Sequence, residues 1–185
     1  MASEVEIASM ALNKLGAQRI TAFDDGTNRS NLCRDFYPSV RDATLRAYPW
    51  NCSINQKLLA ADAEAPLFGY SYKFQLPVLP YCLRVLKIEN EPDYNIKGRF
   101  IHCDESSITI EYIARITDPG LFDSLLKETI EARLAAELAY PITRVHDLAK
   151  TMWDLYSAKL REARTNDAME GTIESWQSNE LINVR

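Results

Sequence analysis

Residues able to do chemistry are few in this chain and poorly spaced for it. Asp24-Asp25 and Asp104-Glu105 are adjacent carboxylates in turn-like sequence, a setting in which both stay solvated instead of dividing acid and base roles. The four cysteines, Cys33, Cys52, Cys82 and Cys103, make no C-x-x-C pair, and the two histidines are His102 and His146. His102-Cys103 is the one suggestive neighbour pair for zinc, but adjacent strand residues point to opposite faces. Reduced, buried thiols are the expected state, with disulfides within or between subunits as the alternative. No glycine-rich phosphate loop, H-E-x-x-H or G-x-S-x-G occurs. The expectation is therefore no catalytic residue, no cofactor, no metal and no enzyme.

The elements that would position any site are clearer. Ser3 with Glu6 forms a capping box ahead of a first helix whose apolar stripe is Val5, Ile7, Ala8, Ala11, Leu12 and Leu15, stopped by Gly16. A second helix is predicted from about Asn28 to Ala47, with a kink or break near Tyr37 because Pro38 lies inside it. It displays Arg29, Arg34, Arg41 and Arg46 against Asp35 and Asp42. A solvated face is the first reading; Arg34 and Arg41 are the candidate DNA or acidic-partner face if it is not.

From Tyr48 to Ile116 the pattern changes to aromatic and β-branched residues at period two, punctuated by Pro and Gly. Tyr70, Tyr72, Phe74 and Leu76 are predicted to share one buried strand face. A further strand covers Leu83 to Glu89, a strand pair covers Tyr94 to Asp104 with its turn at Lys97-Gly98, and Ile108 to Ile116 is expected to pair antiparallel with Arg99 to Cys103. A third helix is bounded by Asp118-Pro119 and by Pro141. Its stripe of Phe122, Leu125, Leu126, Ile130, Leu134 and Leu138 faces the core, while Ala132, Ala135, Ala136 and Ala139 would admit another helix, from this chain or a neighbouring copy. A fourth helix is expected from about Arg144 to Arg164, antiparallel to the third.

The fold class that results is α+β, mainly α: one domain in which residues 1–48 and 118–165 form a helical bundle, residues 49–116 a β-rich central insert, and residues 166–185 an extended C-terminal arm. That arm has no sustained period, yet Ile173, Trp176, Leu181 and Ile182 make it too apolar for a solvated tail, so they are assigned to docking on a partner or another subunit. A chain of 185 residues with 46% hydrophobic content can bury a single core. A net charge of −5 excludes a protein that coats nucleic acid by neutralising phosphates. No run approaches the roughly 18 apolar residues of a membrane span, and the N-terminus does not read as a leader, so synthesis in the cytoplasm is expected.

The ordered features resemble a family. Ala11-Leu12-Asn13-Lys14-Leu15-Gly16, Thr27-Asn28, Arg46-Ala47-Tyr48-Pro49-Trp50-Asn51, Phe68-Gly69-Tyr70 with Leu83-Arg84-Val85, and Ser175-Trp176-Gln177-Ser178-Asn179-Glu180-Leu181 are together similar to the podophage tail tubular protein A group of bacteriophage head-to-tail connector proteins. The resemblance implies a structural virion protein at the head-to-tail junction, forming a homo-oligomeric adaptor ring, commonly of about twelve subunits, closed by heterologous contacts. It implies a portal protein on one side, a tail nozzle, neck or tail-completion protein on the other, and genomic DNA passing through the channel. The rival reading is a cytoplasmic helical module that binds nucleic acid or protein; a small enzyme with an unrecognised site is the second rival.

Overall fold

The computed structural model describes residues 3–170. The order of elements is α1 (Glu4–Lys14), α2 (Asn28–Ala47), a 3-10 turn at Asn51–Ser53, β1 (Ile54–Ala60), β2 (Tyr72–Gln75), β3 (Cys82–Ile88), β4 (Tyr94–Lys97), β5 (Phe100–Cys103), β6 (Ser107–Ala114), a 3-10 turn at Pro119–Leu121, α3 (Ser124–Thr143) and α4 (His146–Met169). The fold is mixed α and β, mainly α, with two three-stranded antiparallel sheets ordered β1-β6-β3 and β2-β5-β4.

Helix boundaries follow local chemistry at their starts. Ser3 accepts from the Glu6 N–H at 3.1 Å to cap α1, and Thr27 accepts from Ser30 N–H at 3.1 Å to cap α2. Just before that cap, Asp25 Oδ1 accepts from the Thr27 N–H and hydroxyl at 3.0 and 2.7 Å. The Ser30 hydroxyl first, then the Thr27 donors, hold the Asp25 carboxyl down at about 2, against 3.8 for the free side chain. Because the folded value lies below the free one, this contribution to stability is complete above pH 3.8 and is lost as the pH falls through about 2. Acid unfolding of wild type is expected to contain a component in that window that Asp25→Asn lacks; superimposable acid titrations of the two proteins would refute it.

Two prolines that should end helices lie inside them instead. Of the kink or break expected near Tyr37, the break does not occur: α2 runs through Pro38 to Ala47. Tyr37, Val40, Arg41, Thr44 and Leu45 are buried on either side of an exposed Pro38, so packing holds the helix where one ladder hydrogen bond is missing. Likewise α3 passes Pro141 and ends at Thr143, its last turn closed by Arg144 N–H on Tyr140 O at 2.9 Å with Arg144 at φ 60°. The start of α3 is also shifted. Asp118 caps only the 3-10 turn, by accepting from Gly120 N–H at 2.8 Å. Asp123 caps the α-helix, accepting from Leu125 N–H at 2.8 Å.

α3 is the centre of the helical part, packed against α1, α2 and α4. Its pairing with α4 is antiparallel, because the partners run in opposite order: Thr129 reaches Lys159, Arg133 reaches Tyr156, and Tyr140 stacks on His146 at 4.4 Å. Ala132, Ala135, Ala136 and Ala139 are all buried inside the single chain. The small-residue side of α3 is thus filled by this chain's own helices and is not free for a neighbouring copy.

The strand pairing corrects the predicted hairpin. β6 does not pair with β5; it is the central strand between β1 and β3, in register Ile54↔Ile113 and Leu59↔Ile108 on one side. β5 is the central strand of the other sheet, with Phe74↔Ile101 and Ile96↔Ile101. The two sheets share one core, in which Leu59, Ile108, Ile110 and Tyr112 of the first meet Phe74, Ile101 and Cys103 of the second. Burying both apolar faces against each other wins over pairing two strands that are neighbours in sequence. The β4–β5 hairpin does form, turning at Gly98, whose φ of 60° suits a residue without Cβ. In β2 the predicted aromatic face is buried only at Phe74 and continues at Leu76, while Tyr72 is exposed. All four cysteines are free thiols; Cys33, Cys82 and Cys103 are buried and Cys52 is exposed.

Candidate functional site: an arginine-lined cleft

Four arginines gather where the C-terminal end of α2 meets the strands. Arg46 occupies the last turn of α2, Arg84 is on β3, Arg99 follows Gly98 in the β4–β5 turn, and Arg115 follows the end of β6. With Tyr81 and Asp42 they line a cleft of about 460 Å³. Tyr81 organises it: the Arg99 and Arg115 guanidinium groups lie 4.1 and 4.3 Å from its ring centroid. Its carbonyl accepts from Arg115 N–H at 2.8 Å, continuing the β3–β6 ladder.

Each guanidinium has a different degree of engagement. Arg99 donates to Cys82 O at 2.8 Å and Pro77 O at 2.7 Å, joining the turn of one sheet to the entry of β3 in the other. Arg46 donates to Leu83 O, and Arg84 reaches Arg46 O at 3.4 Å. Arg115 pairs with Asp42 at 2.6 Å, while its Nε is buried without a partner. Asp42 is shared with Arg41, at 2.9 Å. Among the described residues, Arg46, Arg84 and Arg99 have no carboxylate within salt-bridge distance. Burial pushes the Cys82 thiol in the cleft wall upward, so it stays protonated. Guanidinium groups do not titrate near neutrality, so the cleft is equipped to hold an anion and not to transfer a proton.

A second surface is apolar. Leu67, Phe68 and Leu79 are 99%, 76% and 85% exposed, on the loops flanking β2, and Lys97 lies 4.8 Å from the Phe68 ring. Among the described residues no group of three His, Cys, Asp or Glu side chains could hold a metal. His102 and Cys103 are consecutive on β5, the first half-buried and the second fully buried.

The two arginines singled out on α2 do not share an open face. Arg34 is exposed and pairs with its neighbour Asp35 at 3.3 Å. Arg41 is turned inward, its side chain 8% exposed, with Asp42 at 2.9 Å and Glu4 of α1 at 3.5 Å. It ties α2 to α1 through Glu4 instead of facing solvent, DNA or a partner. The docking residues Ile173, Trp176, Leu181 and Ile182 lie outside the described residues. The boundary of the arm is different from that expected: α4 continues past Arg164 to Met169. Asp167 accepts from the Asn51 N–H at 3.2 Å and its carbonyl accepts from Asn51 Nδ2 at 2.8 Å, so residues 166–169 belong to the folded body.

Neither a protein-family model nor a curated protein matches this chain.

Arg84, Arg99 and Arg115 were not legible as a cluster in sequence. Each is a single arginine at or near a strand end, and only the meeting of the two sheets at Tyr81 gathers them beside Arg46.

Proposed function

We propose that this protein is a structural assembly component, an adaptor ring subunit at a bacteriophage head-to-tail junction, between the portal and the tail or neck. The observation that carries the reading is the exposure of large apolar side chains on the strand-bearing half, above all Leu67, Phe68, Leu58 and Leu79. Side chains of that size left in solvent fit a surface covered by other subunits. The ordered sequence resemblance supports the same assignment. In this reading residues 1–48 and 118–169 act as a helical bundle, residues 49–116 as a β-rich projection from it, and the residues beyond Glu170 as the docking arm that meets the portal. The ring encloses a channel for genomic DNA and resides in the virion. No described helix is long and apolar enough to cross a membrane. The rival, a binding module using the arginines of α2, has less support because Arg41 is buried.

Truncation is the direct test, and the cut belongs after Glu170, beyond the Asn51–Asp167 contact. The shortened chain is expected to keep its circular dichroism and melting temperature while failing to co-sediment with portal-bearing, tailless heads that bind the full chain. Completion of infectious particles by the truncated protein would remove the docking role, and failure of the full chain to bind such heads would remove the adaptor reading.

A further inference from the structure

The arginine cleft carries more positive charge than the fold neutralises. Arg46, Arg84, Arg99 and Arg115 face a single carboxylate, Asp42, which Arg41 also uses. Arg99 donates to backbone carbonyls, which leave its charge uncompensated, and the buried Arg115 Nε has no acceptor. In a chain of net charge −5, a cluster of this kind calls for an anionic occupant.

The chain supplies a complementary group at its opposite end. Between β3 and β4 the turn Glu89-Asn90-Glu91-Pro92-Asp93 carries three carboxylates, all exposed and none in an ion pair among the described residues. Cys82 lies in the cleft wall and Ile88 at the far end of the same strand. The cleft lining runs along β3 as far as Val85, so four residues of extended chain put the turn about 13 Å beyond it. Held at the end of a strand paired with β6 up to Ile88, the turn points onward from the cleft. The same turn of a second copy can enter the cleft.

We infer that the arginine cleft receives the Glu89–Asp93 turn of a second copy of this chain, with the guanidinium groups of Arg46 and Arg84 meeting its carboxylates. The contact joins two different surfaces, one at each end of β3, and is therefore heterologous: copies add head to tail and close into a ring if the rotation per copy permits. It deepens the adaptor reading, on which it rests, by naming the surfaces through which subunits join. Being a contact between charged groups at a surface, it weakens as salt rises.

Charge reversal in two halves tests the contact, with light scattering after size exclusion and sedimentation velocity as readouts. The chain carrying Glu89→Lys and Glu91→Lys keeps an intact cleft, and the chain carrying Arg46→Glu and Arg84→Glu keeps an intact turn. Each alone is expected to lose self-association by at least about tenfold. An equimolar mixture should regain higher assembly, since each chain's cleft is then opposite in charge to the other chain's turn. All four reversals in one chain should restore higher assembly. Arg46→Gln with Arg84→Gln, checked by thermal melting, serves as the milder cleft variant if reversal impairs folding, and should weaken assembly in the same direction.

Assembly by both half-reversed chains at wild-type concentrations overturns the contact; if the wild type still joins heads, the adaptor reading survives it. A wild-type chain that remains monomeric at every concentration also overturns the contact. If removal of residues 171–185 and cleft reversal each abolish assembly while turn reversal leaves it intact, the cleft belongs to the chain's own C-terminal segment and the inference fails.

Discussion

Trp50→Ala is expected to cost roughly 3–5 kcal/mol of folding stability, the range for deleting a fully buried aromatic side chain. The ring is 1% exposed and belongs to the helical core. Its indole N–H donates to Thr44 O at 3.0 Å, and Tyr48 meets it edge-on at 5.0 Å between centroids. Pro49 ends α2 immediately before it, and the Asn51–Ser53 turn leads directly into β1. Trp50 thus fixes the angle at which the chain leaves the helices for the strands. The alanine variant loses the packing, a hydrogen-bond donor to the last turns of α2 and an anchor on that exit. Urea unfolding followed by circular dichroism at 222 nm measures the loss; a change below about 1 kcal/mol would show that the site collapses around the missing ring.

Arg41→Gln is expected to cost roughly 2–3 kcal/mol, whereas Arg34→Gln should shift stability by no more than about 0.5 kcal/mol. The contrast comes from burial. Arg41 is enclosed between α1 and α2, with its guanidinium 5.9 Å from the Tyr37 ring centroid, and its loss leaves the half-exposed Glu4 without this partner. Asp42 retains Arg115, which keeps the cost below that of fully orphaning a buried charge. Arg34 and Asp35 are both largely in solvent, where an ion pair gains little over hydration. Paired urea melts of the two variants check the ordering, and equal, small shifts would mean that Arg41 is held by packing of its aliphatic stem and not by its charge.

The loop surfaces explain why these core effects and the assembly effects are expected to separate. Arg46 and the Glu89–Asp93 turn sit outside both apolar cores, so charge changes there can alter association while leaving the melting temperature near wild type. Trp50 and Arg41 act in the opposite sense. A variant series that moved stability and assembly together at all of these positions would contradict the division of labour inferred from burial.

Local physical chemistry was written plainly in the sequence. The Ser3 and Thr27 caps, the apolar stripes of α1 and α3, the Gly98 turn and the change from period 3.6 to period 2 near Tyr48 each depend on residues within a few positions of one another. The class, mainly α with antiparallel strands, follows from them, as does the burial of Trp50 beside a helix end. What only the tertiary structure decided depends on contacts between distant residues. Pro38 and Pro141 are helix breakers in isolation, yet packing of the flanking side chains keeps α2 and α3 continuous. β6 takes β1 and β3 as partners because face-to-face burial against β5 satisfies both apolar faces at once. Arg41 reads as a surface arginine until Glu4 of α1 meets it, and Asp167 as part of a loose arm until Asn51 is brought to it. The arginine cleft is the fullest case: residues 46, 84, 99 and 115 are unrelated in spacing, and their charges add only because two sheets and the end of a helix converge on Tyr81.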